Sequence, residues 1–233
     1  MSEFDKVVEE SSEQIIDEGV EEEKEIVEIY LEDLETLAET IAEYEADEDI
    51  DTKIEKSLID NRIIYLQGII EEDSISNVVT LIHYFNLEDD KFDVPLEERK
   101  NIKIYISSEG GELVWCKKLL AAIENSKCKI ETISEGGQIA SAGFVIFLAG
   151  DIRKMSRHSE PMYHNLSAGF SGSYSEMKNQ IALYERIQSD IDDYIVERTE
   201  IPLKKLQSYR KKNQDWHLTF DECKKYKIYN VEI

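Results

Sequence analysis

Hydrophobic and polar positions change their period along this chain, and the changes divide it into elements. Near the start, large apolar residues recur at steps of three and four from Val27 to Tyr44, and Glu or Asp fills most positions between them. This spacing predicts an amphipathic helix with a heptad-like apolar seam. Such a helix cannot bury its seam alone, so it must pack on the body of the protein, on a copy of itself or on a partner.

From residue 51 onward, short β-rich runs alternate with helical patterns. The predicted strands are residues 63–66, 103–106, 128–133, 152–155 and 160–164. The predicted helices are residues 74–85, 113–125, 175–198, 202–209 and 220–226. A further buried helix opens at Ser141, and the acidic stretch 86–100 is predicted to be a loop. This alternation predicts an α/β layered domain over residues 51–233.

Charge is concentrated in the first quarter of the chain. The whole chain has a formal net charge of −24, and residues 1–60 hold 24 acidic residues against 4 lysines, a net charge of −20. Residues 1–50 are therefore predicted to be an acidic, partly helical N-terminal extension. Its charge disfavours binding to nucleic acid or to an anionic membrane surface, and would suit docking on a basic surface.

Other sequence signals narrow the class of protein. No apolar run approaches the roughly 18 residues that a membrane-spanning helix needs, and no secretory leader pattern is visible. Three cysteines do not form a metal-ligand pattern: Cys116, Cys128 and Cys223. A cytoplasmic protein with reduced thiols and no metal is expected.

Three residues, in the order Ser141, His164 and Asp215, could together make a hydroxyl reactive. A hydroxyl is a poor nucleophile until an imidazole takes its proton and a carboxylate orients that imidazole. Ser141 lies among small residues, which permit a sharp turn from strand to helix and would aim the first helical amides at a carbonyl oxygen. On this stretch alone, a small-residue helix start capped by Ser141 is the simpler interpretation.

Each of the other two positions has competitors. The remaining histidines are His83, His158 and His217. His217 is the one serious rival to His164, because it stands close to the proposed carboxylate. Asp221 and, more weakly, Asn213 are alternatives to Asp215.

Six stretches, in the same order along the chain, resemble motifs of the ClpP family of serine peptidases. They are residues 62–66, 106–111, 137–143, 159–164, 197–206 and 215–222. In that family the nucleophile lies in Gly-Gln-x-Ala-Ser-x-Gly, the histidine ends Ser-x-x-Met-x-His, and the aspartate stands two residues before Leu-Ser/Thr-x-x-Glu-Ala. Here Asp215 stands three residues before Leu218, which Thr219 and Glu222 follow in that frame. These motifs match Ser141, His164 and Asp215. Two departures are Glu109 in place of the family's proline and a run before Asp215 that is about two residues longer.

The resemblance implies a fold and a set of binding residues. The fold would be the ClpP–crotonase type, with repeated β-β-α units and a projecting handle helix at residues 175–198. The amides of Gly111 and Ala142 would form the oxyanion hole. An extended substrate would add a strand between two segments, and the residues implied in binding it are Gly110, Glu112, Leu113, Leu166 and Ser167.

The resemblance also implies partners. The family forms heptameric rings, stacked as a tetradecamer, that a separate AAA+ unfoldase supplies with polypeptide. This chain has no Gly-x-x-x-x-Gly-Lys phosphate loop, so peptide hydrolysis by the chain itself is expected to need neither ATP nor a cofactor. The alternatives are a specialised virus-type or maturation protease acting on one partner, a non-catalytic ClpP-like structural subunit, and a crotonase-type acyl-CoA enzyme.

Overall fold

The computed structural model of the protein describes residues 49–233. Residues from Ser57 to Ile233 form one compact unit. The predicted heptad seam, and all but the last two residues of the predicted acidic extension 1–50, lie outside the described residues.

Strands and helices alternate through the described part of the chain. They are α1 (Ile50–Asp60), β1 (Ile63–Ile70), α2 (Glu72–Lys91), β2 (Ile102–Gly111), α3 (Leu113–Glu124), β3 (Ile130–Ser134), β4 (Gly137–Ala140), α4 (Ala142–Ala149), β5 (Ile152–Met155), β6 (Ser159–Tyr163), α5 (Tyr174–Arg198), α6 (Leu203–Lys212), β7 (Trp216–His217), α7 (Phe220–Lys225) and β8 (Val231–Glu232). The predicted α/β class is confirmed.

The strands of the described residues form one sheet that is organised around β2. The strand order is β7-β6-β4-β2-β3-β5-β8, and β1 also pairs with β2. The first half of β2 pairs with β3, and Ser108 in its second half pairs with Ile139 of β4. All pairs are parallel except the antiparallel pair of β6 and β7. The second half of β2 therefore runs beside β4, the strand that leads into α4.

Helix α4 is the centre of the hydrophobic core. Its sequence is apolar around the whole circumference, and all of its residues from Ala142 to Ala149 are buried. Such a helix is stable only when protein surrounds it. It packs against β2 and α3, with Phe144 and Phe147 among the largest fully buried side chains. The predicted buried helix is confirmed, and its first residue follows Ser141 directly.

Helix α2 is longer than the sequence pattern indicates. The prediction that residue 86 begins a loop is wrong, because the helix continues to Lys91. Two side chains in the extra turn have partners far away in sequence. Asn86 accepts a hydrogen bond from the amide of Lys127 at 2.7 Å, and the buried carboxylate of Asp89 accepts one from Arg62 at 2.8 Å. These contacts hold the acidic turn against the body of the protein.

Helix α5 has an exposed first half and a partly buried second half. It begins with a capping box in which Ser173 and Glu176 satisfy each other's backbone amides. Ile181 and Leu183 are 48% and 43% exposed, whereas Gln188, Ile191, Asp192 and Ile195 are buried. The predicted long helix is confirmed, and its first half offers apolar side chains to solvent.

Candidate active site

Ser141 lies at a tight turn between β4 and α4. Its backbone angles are φ 55° and ψ −121°, a conformation that residues other than glycine rarely adopt. The amide of Ser141 donates a hydrogen bond to the carbonyl of Met162 at 2.8 Å, which ties the turn to β6. Backbone strain of this kind persists only where the surrounding structure enforces it. The turn leaves the side chain half-buried rather than enclosed in the core.

The end of β2 approaches this turn so closely that only glycine fits. A Cβ atom on Gly110 would lie 2.7 Å from the Cβ of Ser141, and the φ of Gly110 is +104°. A Cβ atom on Gly111 would lie 2.3 Å from the carbonyl oxygen of Ile70 in β1. The Gly110–Gly111 backbone is therefore wedged between β1 and the serine turn.

His164 directly follows β6 and contacts the serine hydroxyl. Its Nε2 atom lies 2.7 Å from Oγ of Ser141. When Nε2 carries no proton, it accepts the hydroxyl hydrogen, which is the geometry required of a general base. The structure thus brings together the first two residues of the predicted trio.

Asp215 is brought to the other side of the imidazole by strand β7. The antiparallel register pairs Tyr163 with Trp216 and Met162 with His217, which puts Asp215 opposite His164. Oδ1 of Asp215 lies 3.9 Å from Nδ1 of His164, and the Asp215 side chain is 58% exposed. This distance exceeds that of a hydrogen bond, and it corresponds to an ion pair only when His164 is protonated.

The alternative residues occupy other positions. His217 pairs in register with Met162, one residue pair beyond His164. Asp221 lies in the first turn of α7. Asn213 adopts a left-handed conformation at the end of α6, and its Oδ1 accepts a hydrogen bond from Asn165 at 3.3 Å.

The predicted oxyanion donors lie on either side of the serine turn. Ala142 is the first residue of α4, where the opening amides have no partner within the helix. Gly111 ends β2, next to the glycine that touches Ser141. An oxyanion near Oγ would therefore meet the N-terminus of a buried helix, which favours negative charge.

The two predicted substrate segments differ in how much extended backbone they offer. The amide of Glu112 donates to the carbonyl of Ile70 at 2.8 Å, and Leu113 is already the first residue of α3. On the other side, the exposed Ser167 and the half-buried Leu166 lie in an irregular segment after His164. Regular strand structure thus ends at Gly111 on one side, and the segment around Leu166 on the other side is irregular.

A cavity of about 630 Å³ adjoins the segment that follows His164. Its lining is apolar where it meets Leu166, Phe170 and Tyr184, and polar where it meets Gln188 and Arg210. The cavity is large enough to hold an amino-acid side chain.

A polar cluster beside His164 was missed by the sequence analysis. The carboxylate of Asp192 is only 1% exposed and accepts hydrogen bonds from Tyr163 at 2.6 Å, Gln188 at 3.0 Å and Arg210 at 2.8 Å. Burial, together with the hydrogen bond to this carboxylate, raises the pKa of the Tyr163 phenol, so it remains a donor. The available signal was a polar pair, Gln188 and Asp192, beside the apolar face of α5.

The cysteines are not rival nucleophiles. All three are buried, and burial raises the pKa of the Cys116 and Cys223 thiols to about 12. Burial likewise raises the pKa of the Cys128 thiol. A thiol must ionise to attack, so these side chains are inert near neutral pH.

Residues 49–233 contain no group of three or more His, Cys, Asp or Glu side chains placed to hold a metal ion. Within the same range, no helix combines the length and apolarity that crossing a membrane requires.

A serine at a strained strand-to-helix turn, hydrogen-bonded to a histidine, is the arrangement found in serine hydrolases. A family model described as Clp protease matches residues 45–230, and the chain belongs to this family. The predicted resemblance and fold are thereby confirmed.

Two curated relatives illustrate the similarity. An "ATP-dependent Clp protease proteolytic subunit" from Pleurastrum terricola is 26% identical over 176 residues, which cover 75% of this chain and 84% of the relative. An "ATP-dependent Clp protease proteolytic subunit 2" from Bacillus licheniformis is 26% identical over 178 residues, covering 76% of this chain and 88% of the relative.

Proposed function

We propose that this chain is a serine endopeptidase subunit of the Clp type, with Ser141 as nucleophile. The observation that carries the proposal is the 2.7 Å contact between Oγ of Ser141 and Nε2 of His164 at the strained turn before α4. Family membership supports it from an independent direction.

The reaction follows from the positions of the groups. His164 takes the proton of Ser141 as Oγ attacks the peptide carbonyl, and the amides of Ala142 and Gly111 stabilise the oxyanion. His164 then protonates the leaving amine, and water hydrolyses the acyl-enzyme by the reverse sequence. Asp215 orients the imidazole and stabilises it while it is charged. Each step uses groups of this chain alone.

The substrate would be an extended polypeptide. The backbone near Gly110 and Glu112 would pair with it on one side, and Leu166 and Ser167 would do so on the other, with Leu113 contributing its side chain. Main-chain pairing gives affinity with little demand on sequence. The cavity beside Leu166 would take one substrate side chain.

We further propose that the subunit assembles into rings and receives substrate from a separate AAA+ unfoldase. The names of both relatives describe ATP-dependent proteases. The sequence of this chain has no phosphate loop, so a partner would supply ATP hydrolysis. The exposed apolar side chains in the first half of α5, Ile181 and Leu183, support self-association of this helix.

The domain organisation proposed here separates residues 1–50 from a peptidase domain at 51–233. The separation is supported by the net charge of −20 in residues 1–60 and by a family match that begins at residue 45. An acidic extension of this kind would repel acidic polypeptides from the entrance of an assembled ring.

The test compares the full chain with Ser141→Ala in hydrolysis of a short fluorogenic peptide, which needs no unfoldase. We expect a loss on the order of 10⁶-fold in kcat, as for other serine nucleophiles. A fluorophosphonate probe should label the unaltered chain and not Ser141→Ala. The matched control is Ser189→Ala, an exposed serine of α5, which should keep its activity.

Peptide hydrolysis that persists in Ser141→Ala would refute the assignment of the nucleophile. Absence of both labelling and hydrolysis in the full chain, with its assembly state verified by native mass spectrometry, would instead make it a non-catalytic subunit.

A further inference from the structure

A buried carboxylate on α5 is connected to the backbone on both sides of His164. Asp192 accepts a hydrogen bond from the phenol of Tyr163, the residue directly before the histidine, at 2.6 Å. Asp192 also binds Gln188, which accepts a hydrogen bond from the amide of Leu166 at 2.7 Å. Residues one before and two after His164 are therefore held by the same helix.

The third connection reaches the segment that leads to Asp215. The guanidinium of Arg210, near the end of α6, donates to Asp192 at 2.8 Å. The carbonyl of Arg210 accepts a hydrogen bond from the side chain of Asn165, which directly follows His164, at 3.2 Å. One carboxylate thus links β6, the segment after it and α6.

Stability alone is a weak explanation for this arrangement. Burying a carboxylate costs free energy that its partners only partly return, and an apolar set of similar volume is often equally stable. Apolar contacts have no preferred direction, whereas hydrogen bonds fix the relative positions of the groups that they join. Three hydrogen bonds define where Tyr163, Leu166 and Arg210 lie. Tyr163 and Leu166 flank the histidine in sequence, and the carbonyl of Arg210 binds Asn165, the residue after it.

We propose that Asp192 is a positioning residue of the peptidase, which acts through Tyr163, Gln188 and Arg210 to hold His164 within reach of Oγ of Ser141. The inference rests on the proposed function. We call these four residues, Asp192 with Tyr163, Gln188 and Arg210, the clamp. A displacement of about 1 Å in a catalytic group can lower a rate by about 100-fold, so the clamp would act by raising the rate of hydrolysis. Asp192 itself touches neither substrate nor Ser141.

The test removes single connections while leaving the buried carboxylate paired. Tyr163→Phe deletes one hydroxyl, and Asp192 keeps Gln188 and Arg210 as partners. We expect kcat for the fluorogenic peptide to fall about tenfold with KM unchanged, because the general base is misplaced and the substrate segments are not. The matched control is Tyr229→Phe, since the buried hydroxyl of Tyr229 has no hydrogen-bond partner among residues 49–233.

A second variant separates the two sides of the clamp. Gln188→Leu removes the acceptor of the Leu166 amide, and Leu166 belongs to the proposed substrate segment. We therefore expect this variant to raise KM by more than it lowers kcat, the opposite of Tyr163→Phe.

Fluorophosphonate labelling distinguishes positioning from general loosening of the fold. For Tyr163→Phe, we expect labelling to reach the same stoichiometry as in the unaltered protein, but with a labelling rate constant lowered about tenfold. A merely structural role would reduce the labelled fraction and leave the rate of the folded remainder unchanged, and that result would overturn the inference. So would kcat values for Tyr163→Phe and Tyr229→Phe that agree within about twofold. A different result would refute the proposed function itself: the unaltered protein and Ser141→Ala would then show the same labelling.

Discussion

Ser141 lies at a half-buried turn between a strand of the sheet and the central core helix, whereas Asp215 lies in an exposed segment before a two-residue edge strand. The contact between Ser141 and His164 is 2.7 Å, and the contact between His164 and Asp215 is 3.9 Å. The imidazole is shared, so the difference arises from how its two partners are held.

Ser141, the proposed nucleophile, is positioned by backbone from distant parts of the chain. Gly110 of β2 lies so near that an added Cβ would be 2.7 Å from the Cβ of Ser141, Met162 of β6 accepts its amide hydrogen, and α4 begins immediately after it. The carboxylate depends on one short antiparallel pairing at the edge of the sheet. We therefore expect the Ser141–His164 pair to be rigid and the His164–Asp215 pair to be adjustable, with a spacing that shortens when substrate binds.

The largest effect should come from disturbing the rigid pair without altering any catalytic group. Gly110→Ala places a methyl group 2.7 Å from the Cβ of Ser141 and 3.0 Å from the carbonyl oxygen of Ala140. We expect kcat/KM to fall on the order of 10³-fold, because both the nucleophile and the adjacent oxyanion donor must move.

The matched control for that variant is Gly68→Ala, which also has a positive φ, +77°, but no atom within 4 Å of the added Cβ. Peptidase assays and thermal unfolding of both variants measure the outcome. If Gly110→Ala were no less active than Gly68→Ala, the close approach of β2 would be irrelevant to catalysis.

A smaller effect is expected at the adjustable pair. Asp215→Asn should lower kcat by about 100-fold, less than the roughly 10⁴-fold expected of a buried triad aspartate, because Asp215 is exposed and its carboxylate lies 3.9 Å from the imidazole. Asp221→Asn is the control, since Asp221 lies in the first turn of α7 and should leave kcat within about twofold of the full chain. A larger loss of kcat in Asp221→Asn than in Asp215→Asn would show that Asp221, not Asp215, orients His164.

The smallest effect concerns ionic strength. Exposed charges attract each other less as salt rises, and the screening length falls from about 10 Å at 0.1 M to about 3 Å at 1 M. We expect kcat of the full chain to fall about threefold over this range, through the weakened attraction between Asp215 and charged His164. Steady-state kinetics in sodium chloride test this, with Asp215→Asn as the reference. If kcat depended equally on salt in the unaltered protein and in Asp215→Asn, Asp215 would not be the cause of the salt effect.

Much of the fold was accessible from sequence because its signals are local. The bounds of β5 were predicted without error, and α5 was predicted to within one residue. The small residues around Ser141 indicated the turn, and the buried helix expected to open there is present as α4. Local patterns of this kind are set by side-chain period and backbone sterics.

What could not be predicted depends on partners far apart in sequence. The acidic end of α2 resembles a loop in composition, and Arg62, which pairs with Asp89, lies 27 residues earlier. In the sequence, Asp192 cannot be distinguished from the other charged residues of α5. Its role is visible only in the folded chain, where Tyr163 and Arg210 donate hydrogen bonds to it. The sequence contains each residue but not the pairing, which requires the folded chain.

The complete burial of α4 determines how this site can fail. Amide hydrogens in such a helix exchange with solvent only when the whole domain opens, whereas those of a short edge strand exchange through local fraying. Since Ser141 directly precedes α4, we expect the proposed nucleophile to belong to a well-protected cooperative unit and Asp215 to a weakly protected one. If the proposed function holds, mild destabilisation would separate the Asp215 carboxylate from the imidazole first and slow peptide hydrolysis, while Ser141 and His164 stay in place.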